Sequence, residues 1–170
     1  MALPASTPAE AVEVYRARRV ALLSCLTPAY VELRGYAPSP RPHPFALAKG
    51  ETVRLRGESE LGLSVIEEHE IAQTVEGDWQ VRVVSYFYAI EQEGTELIAY
   101  HWHPHGVSPI TDPHLHVRAD IRVGERWFGK VHLPTGAIQL ESIVALTIQE
   151  LGAEPLREDW ERLIGEAAVR

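Results

Sequence analysis

From His114 to Val123 the chain alternates without a break: Leu115, Val117, Ala119, Ile121 and Val123 are apolar, whereas His114, His116, Arg118, Asp120 and Arg122 are not. Side chains of a strand point in turn to its two faces, so a strand separates these two sets and a helix would mix them. This stretch commits the chain to a sheet with one face on a core and the other carrying imidazole and guanidinium.

The neighbouring stretches carry the same pattern. After a turn at Gly124, Trp127, Gly129, Val131 and Leu133 alternate with Phe128, Lys130 and His132. Apolar faces coincide only if paired residue numbers have an even sum. The tightest such hairpin sets Ile121 opposite Trp127, Arg118 opposite Lys130 and His116 opposite His132. Upstream, Ile98, Tyr100 and Trp102 alternate with Ala99, His101 and His103. Pairing His103 with His114 then sets His101 beside His116. The expected result is a row of His101, His116 and His132 across three strands, with His103 and His114 beside it and Arg118 and Lys130 behind.

Six of the eight histidines lie within this region, and Pro104, Pro109 and Pro113 interrupt it. Clustered imidazoles repel one another whenever they protonate, so their grouping calls for a compensating role. His43 reads as part of a solvated loop, and His69 and His105 as solvated or core-satisfied side chains. Glu67, Glu68, His69 and Glu70 together offer a cation site, but the same run fits an exposed strand or turn, which is the preferred reading.

Around this centre the expected fold is α+β, a single domain over 1–170, since 170 residues suit one core. Thr7, Pro8 and Glu10 mark a helix start with a capping box, and the helix should cover 8–25. Its Arg16, Arg18 and Arg19 read as a solvated basic face. Residues 30–133 should form a mainly antiparallel meander of about six strands, including Tyr30 to Arg34, Glu51 to Arg56, Gln80 to Ile90 and Leu97 to His103. The prolines between Ala37 and Phe45 keep that segment out of the sheet. From 139 to 168 the period becomes helical: Leu140, Ile143, Val144, Thr147, Ile148 and Leu151 share a face, Gly152 stops the helix, and Pro155 opens a second one. Both should pack with the first helix on the apolar face of the sheet.

The composition narrows the chemistry. A lone Cys25 rules out an intramolecular disulfide and a thiolate cluster, leaving histidine and carboxylate as metal ligands. A net charge of −8 argues against tight non-specific nucleic-acid binding, though not against a local basic patch. No apolar run is long enough for a membrane span, and Met1 to Ser6 lack the pattern of a signal peptide, so a cytoplasmic address is expected.

Three functions suit such a face. The first is metal-free cleavage of RNA, with two histidines as base and acid, Arg118 and Lys130 stabilising the charged phosphorane, and Tyr86 or Tyr88 as further donors. The order of Tyr100, His101, His103 and Pro104, then Pro113, His114, Leu115 and His116, then Leu140, Glu141, Ser142, Ile143 and Val144 resembles the TumE-type toxins of bacterial toxin-antitoxin systems. That resemblance implies a cytoplasmic ribonuclease toxin without a cofactor, RNA as substrate, a helix-turn-helix antitoxin as partner, and His101, His103, His114 and His116 as the family-like histidines. The second function is a metal site, zinc before iron or manganese, on His101, His103, His114 and His116, with Asp112, Asp120 or Glu141 as substitute ligands. The third is an interaction module in which the histidines, Tyr86, Tyr88 and Phe128 contact a partner or a second copy of the chain.

Overall fold

The computed structural model describes residues 5–105, 109–118, 122–123, 126–127 and 132–168. The chain opens with α1 (Pro8–Leu23), two residues shorter than expected. The Thr7 hydroxyl accepts the Glu10 amide at 3.2 Å, and Pro8 takes the first helical position, where an amide has no intrahelical partner. Glu10 bonds further back than a capping box requires: its carboxylate accepts both the amide and the hydroxyl of Ser6 at 2.8 Å.

The strands are β1 (Val31–Leu33), β2 (His43–Leu47), β3 (Val53–Arg54), β4 (Leu61–Gln73), β5 (Trp79–Gln92), β6 (Thr95–Trp102), β7 (His114–Val117), β8 (Arg122–Val123), β9 (Arg126–Trp127) and β10 (Leu133–Pro134). One antiparallel sheet runs in the order β1-β2-β4-β5-β6-β7-β10, with β3 also paired to β4, while β8 and β9 form a ribbon. The helices α2 (Leu140–Gln149) and α3 (Trp160–Ala168) follow. The α+β class with one N-terminal and two C-terminal helices is as expected, and the sheet is larger, with eight strands. No helix among the described residues is long and apolar enough to cross a membrane.

The long β4–β5 hairpin is the frame. Its faces stay in step through a bulge: Glu68 pairs with Ser85 but His69 pairs with Val83, so Val84 is the extra residue. Without it the odd-numbered Trp79, Val81 and Val83 could not share a face with the even-numbered Tyr86, Tyr88 and Ile90. At the other end Glu93 and Gly94, with φ of 51° and 74°, form the two-residue turn that joins β5 to β6. The helices cover the face that carries Leu63, Val65, Tyr88 and Ile90, where Leu140, Ile143 and Val144 of α2 complete a buried core.

Several expectations are corrected here. Pro44 does enter the sheet, in β2 beside Glu68, and the run Glu67 to Glu70 belongs to a strand, Leu61–Gln73, in which Glu67 and His69 are buried instead of exposed. Of Glu51 to Arg56 only Val53–Arg54 is strand. Pro155 does not open α3, which starts at Trp160. The intervening backbone is tied elsewhere: the Glu154 amide donates to the Arg56 carbonyl and the Leu156 amide to the Cys25 carbonyl, both at 2.8 Å.

Candidate functional site

In β6 and β7, Tyr100 pairs with Leu115 and His101 with His114. Because Tyr100 and Trp102 pack on the core, the alternation turns His101, His114 and His116 to the sheet face away from the helices. The register is displaced by two residues from the expected pairing of His103 with His114. A shift by two residues preserves the faces, so the histidines still converge, with a different partner for each. At the far side Leu133 pairs with Leu115, which places His132 opposite His116, as derived from the sequence. The ribbon departs from that register by one, since Arg122 pairs with Trp127 instead of Ile121 with Trp127. Two residues then separate the paired Val123 and Arg126, the preferred length for a hairpin turn.

Five imidazoles form one contiguous group. The His101 ring stacks on His116 at 4.5 Å between centroids and on His114 at 5.5 Å, and His132 meets His116 at 4.6 Å and His114 at 5.1 Å. His103 touches His101 at 5.8 Å and is bound through Nδ1 to the Ser85 hydroxyl at 3.1 Å. Phe87 closes the edge against His101 at 4.8 Å. Within the group, one ring nitrogen from each of His101, His114 and His116 lies within 4.8 Å of the others.

The hydrogen bonds set the character of these rings. His114 is buried, and its Nδ1 lies 2.8 Å from the Asp112 carbonyl oxygen. A carbonyl only accepts, so Nδ1 carries the proton and Nε2 keeps a free lone pair. The Nε2 atoms of His101 and His116 are buried with no hydrogen-bond partner. Burial first, and then repulsion by His116, His114, His103 and His132, pushes the pKa of His101 down to about 4. Burial and the charges of His132 and His114 lower that of His116. Both rings are thus held neutral at pH 7, ready to donate lone pairs.

Arg118 follows β7 and is half-buried, and its amide bonds the Leu97 carbonyl. Lys130, Phe128 and Asp120 lie outside the described residues. His105 is exposed. Tyr86 and Tyr88 belong to the opposite face and are buried there. Glu141 is on that face too, so it is no substitute ligand for the histidines.

That opposite face holds a second polar assembly under α1, which the sequence reading missed. Glu67 is fully buried and accepts from the Tyr15 hydroxyl, from Arg19 Nε at 3.0 Å and from the Tyr88 hydroxyl at 2.5 Å. Arg19 is itself buried, and its Nη1 is 3.5 Å from Glu141 Oε2, while Arg18 Nη2 bonds Glu141 Oε1 at 2.6 Å. Arg18 and Arg19 are therefore not a solvated basic face. Burial opposes the Arg19 charge, but Glu67, Tyr15, Tyr88 and Glu141 together outweigh it and hold the guanidinium protonated. Burial and the Glu67 charge hold both tyrosines protonated.

His43 and His69 are also corrected. His43 is a strand residue, not loop: it pairs with His69, lies over Gly35, and its Nε2 is 2.8 Å from the Ala37 carbonyl. His69 is fully buried between the rings of Tyr15 at 5.0 Å and His43 at 5.7 Å, and neither ring nitrogen has a partner. Burial, then the His43 charge, lowers its pKa to about 4, against a smaller opposing pull from Glu67. The signal available in sequence was parity, since Glu67 and His69 continue the series Leu61, Leu63 and Val65 and end at Ile71.

No family model, curated protein or solved structure matches the chain.

Proposed function

We propose that the chain binds one divalent transition-metal ion, zinc foremost, through His101, His114 and His116, and uses it for hydrolysis. The observation that carries this reading is the convergence of three imidazole nitrogens within 4.8 Å on adjacent strands, with the Nε2 of His101 and His116 buried and unbonded. Nitrogens around tetrahedral zinc stand about 3.3 Å apart, given Zn–N bonds of about 2.0–2.1 Å. Closing the group around an ion therefore needs ring movements on the order of an ångström. Each unbonded buried nitrogen costs roughly 1–3 kcal/mol, and a metal–nitrogen bond removes that cost.

The Asp112 carbonyl orients His114 as a carbonyl or carboxylate commonly orients a ligating histidine. Three protein ligands leave a fourth position for water, whose pKa falls to about 7 on zinc. His103 lies beside His101 and His132 beside His116, as neighbours able to contact a substrate.

A second reading, metal-free RNA cleavage by a TumE-like toxin neutralised by an antitoxin, draws support from His103 and His132, which a three-ligand centre leaves over. Elemental mass spectrometry of the untagged protein, beside His101→Ala/His116→Ala, separates the two. The metal reading expects about one zinc per chain in the parent and none in the variant. A metal-free parent that cleaves RNA would replace it with the second.

A further inference from the structure

The sheet ends differently at its two edges. At one, Leu133 of β10 pairs with Leu115 and the Thr135 amide donates to the Pro113 carbonyl, so the backbone turned outward belongs to Pro134, which has no N–H. Proline commonly guards an exposed edge in this way. At the other edge β1 carries no such guard. The Tyr30 carbonyl accepts from the Ala48 amide and the Arg34 amide donates to the Pro44 carbonyl, which makes Tyr30, Glu32 and Arg34 the residues whose backbone faces β2. Val31 and Leu33 therefore turn their N–H and C=O groups outward, where nothing bonds them among the described residues.

The sequence of that edge, Tyr30-Val31-Glu32-Leu33-Arg34-Gly35-Tyr36, reads nearly alike in both directions. We propose that β1 pairs antiparallel with β1 of a second copy about a two-fold axis at Leu33, joining two sheets into one. Such a self-complementary contact is what a two-fold dimer requires. The axis falls on an outward-facing residue, so the two Leu33 residues exchange a pair of backbone hydrogen bonds. On the core side Val31 and Leu33 are half-buried beside Leu47 and Phe45, and the second copy extends that apolar face. On the other side each Glu32 stands opposite the second copy's Arg34. Within one chain Arg34 Nε and Nη2 both bond Glu32 Oε1, at 2.9 and 2.5 Å, which leaves Oε2 open to another guanidinium. The four side chains alternate in charge around the axis. Exposed pairs of this kind add little affinity, but they choose the register. Gly35, with φ of 84°, ends the regular strand, so the paired stretch is short and the exposed Tyr30 and Tyr36 lie at its margins. A contact of this size belongs to the weak class, with a dissociation constant on the order of 10 µM.

Sedimentation equilibrium of the full chain, from about tenfold below that value to about fiftyfold above it, should show the mass rising from 19.0 kDa toward twice that. Hydrogen exchange should slow with concentration at the Leu33 amide and not at Glu32, whose amide faces β2. Glu32→Arg and Arg34→Glu should each weaken self-association about tenfold or more, because each sets like charges opposite one another on both sides of the axis. Mixing the two variants should restore association, as should both changes in one chain. Melting temperatures check that the variants fold. A chain that stays monomeric throughout, a dimer without slower exchange at Leu33, or single reversals that associate like the parent overturns the proposal. His101→Ala/His116→Ala should dimerise as the parent does, because β6 and β7 lie toward the opposite edge of the sheet.

Discussion

The two faces of one sheet treat buried polarity in opposite ways. Under α1, Glu67 of β4 is met by two hydroxyls and a guanidinium, so side chains of two elements, α1 and β5, converge on one carboxylate. On the far face five imidazoles meet chiefly one another, and two Nε2 atoms have no partner. A satisfied network holds a fold together, whereas an unsatisfied one spends stability and points to something outside the chain that completes it. Stability should therefore reside on the helix side and ligand response on the histidine side.

The largest test of that division is Glu67→Ala. It leaves Arg19 charged in the core with its main partner gone, and breaking a buried pair in this way costs about 3–5 kcal/mol. Urea unfolding should record that loss. On the other face His101→Ala/His116→Ala removes two orphaned nitrogens together with some packing, and should cost about 1 kcal/mol or less. If the histidine variant were the less stable of the two, the division would be wrong.

His69 is one exception on the helix side, and pH isolates it. Its pKa falls from an ordinary 6.5 to about 4 in the folded chain, so between those values the unfolded chain binds more protons. Stability is full above pH 6.5 and declines as the pH falls toward 4. The loss approaches about 3 kcal/mol, at 1.36 kcal/mol for each pKa unit. His69→Phe keeps an aromatic ring between Tyr15 and His43 and has no proton to gain. Denaturant midpoints from pH 7 to 4 should thus fall less steeply in the variant. Equal slopes would show that acid acts elsewhere.

Zinc should move only the histidine face. At a free concentration about a hundredfold above its dissociation constant, a ligand specific to the folded state adds about 2.7 kcal/mol. Thermal melts of the parent should rise accordingly, while His101→Ala/His116→Ala should not respond. Glu67→Ala, provided it folds, should gain as much as the parent. A zinc response lost in Glu67→Ala would mean that the two faces are coupled.

How much of this contrast was legible in the sequence follows from the range of each interaction. Alternation is local, so the strand at His114, the shared face of the histidines and the pairing of His116 with His132 were all readable. Parity fixes a register only to within two residues, and the long connection between Trp102 and His114 decides the rest, which is why His101 meets His114. The Arg19–Glu67 pair is long-range, joining residues 48 apart. In a helix read alone Arg19 looks like its solvated neighbour Arg16, and in a strand read alone Glu67 looks exposed. Only their mutual burial makes either sensible.

The smallest expected effect addresses the same separation from the end of α1. Thr7→Ala removes the hydroxyl that accepts the Glu10 amide, a change worth about 1 kcal/mol at a helix start. The first turn should loosen while Tyr15 and Arg19, two and three turns further on, remain anchored by Glu67. Hydrogen exchange should accordingly quicken at Ala9 to Val12 and stay unchanged at Arg19. Zinc affinity should match that of the parent, because nothing in the cap reaches the far face of the sheet. Faster exchange extending to Arg19 would mean that the cap and the Glu67 network hold α1 as one unit, and the helix side would then have to be treated as a single cooperative element.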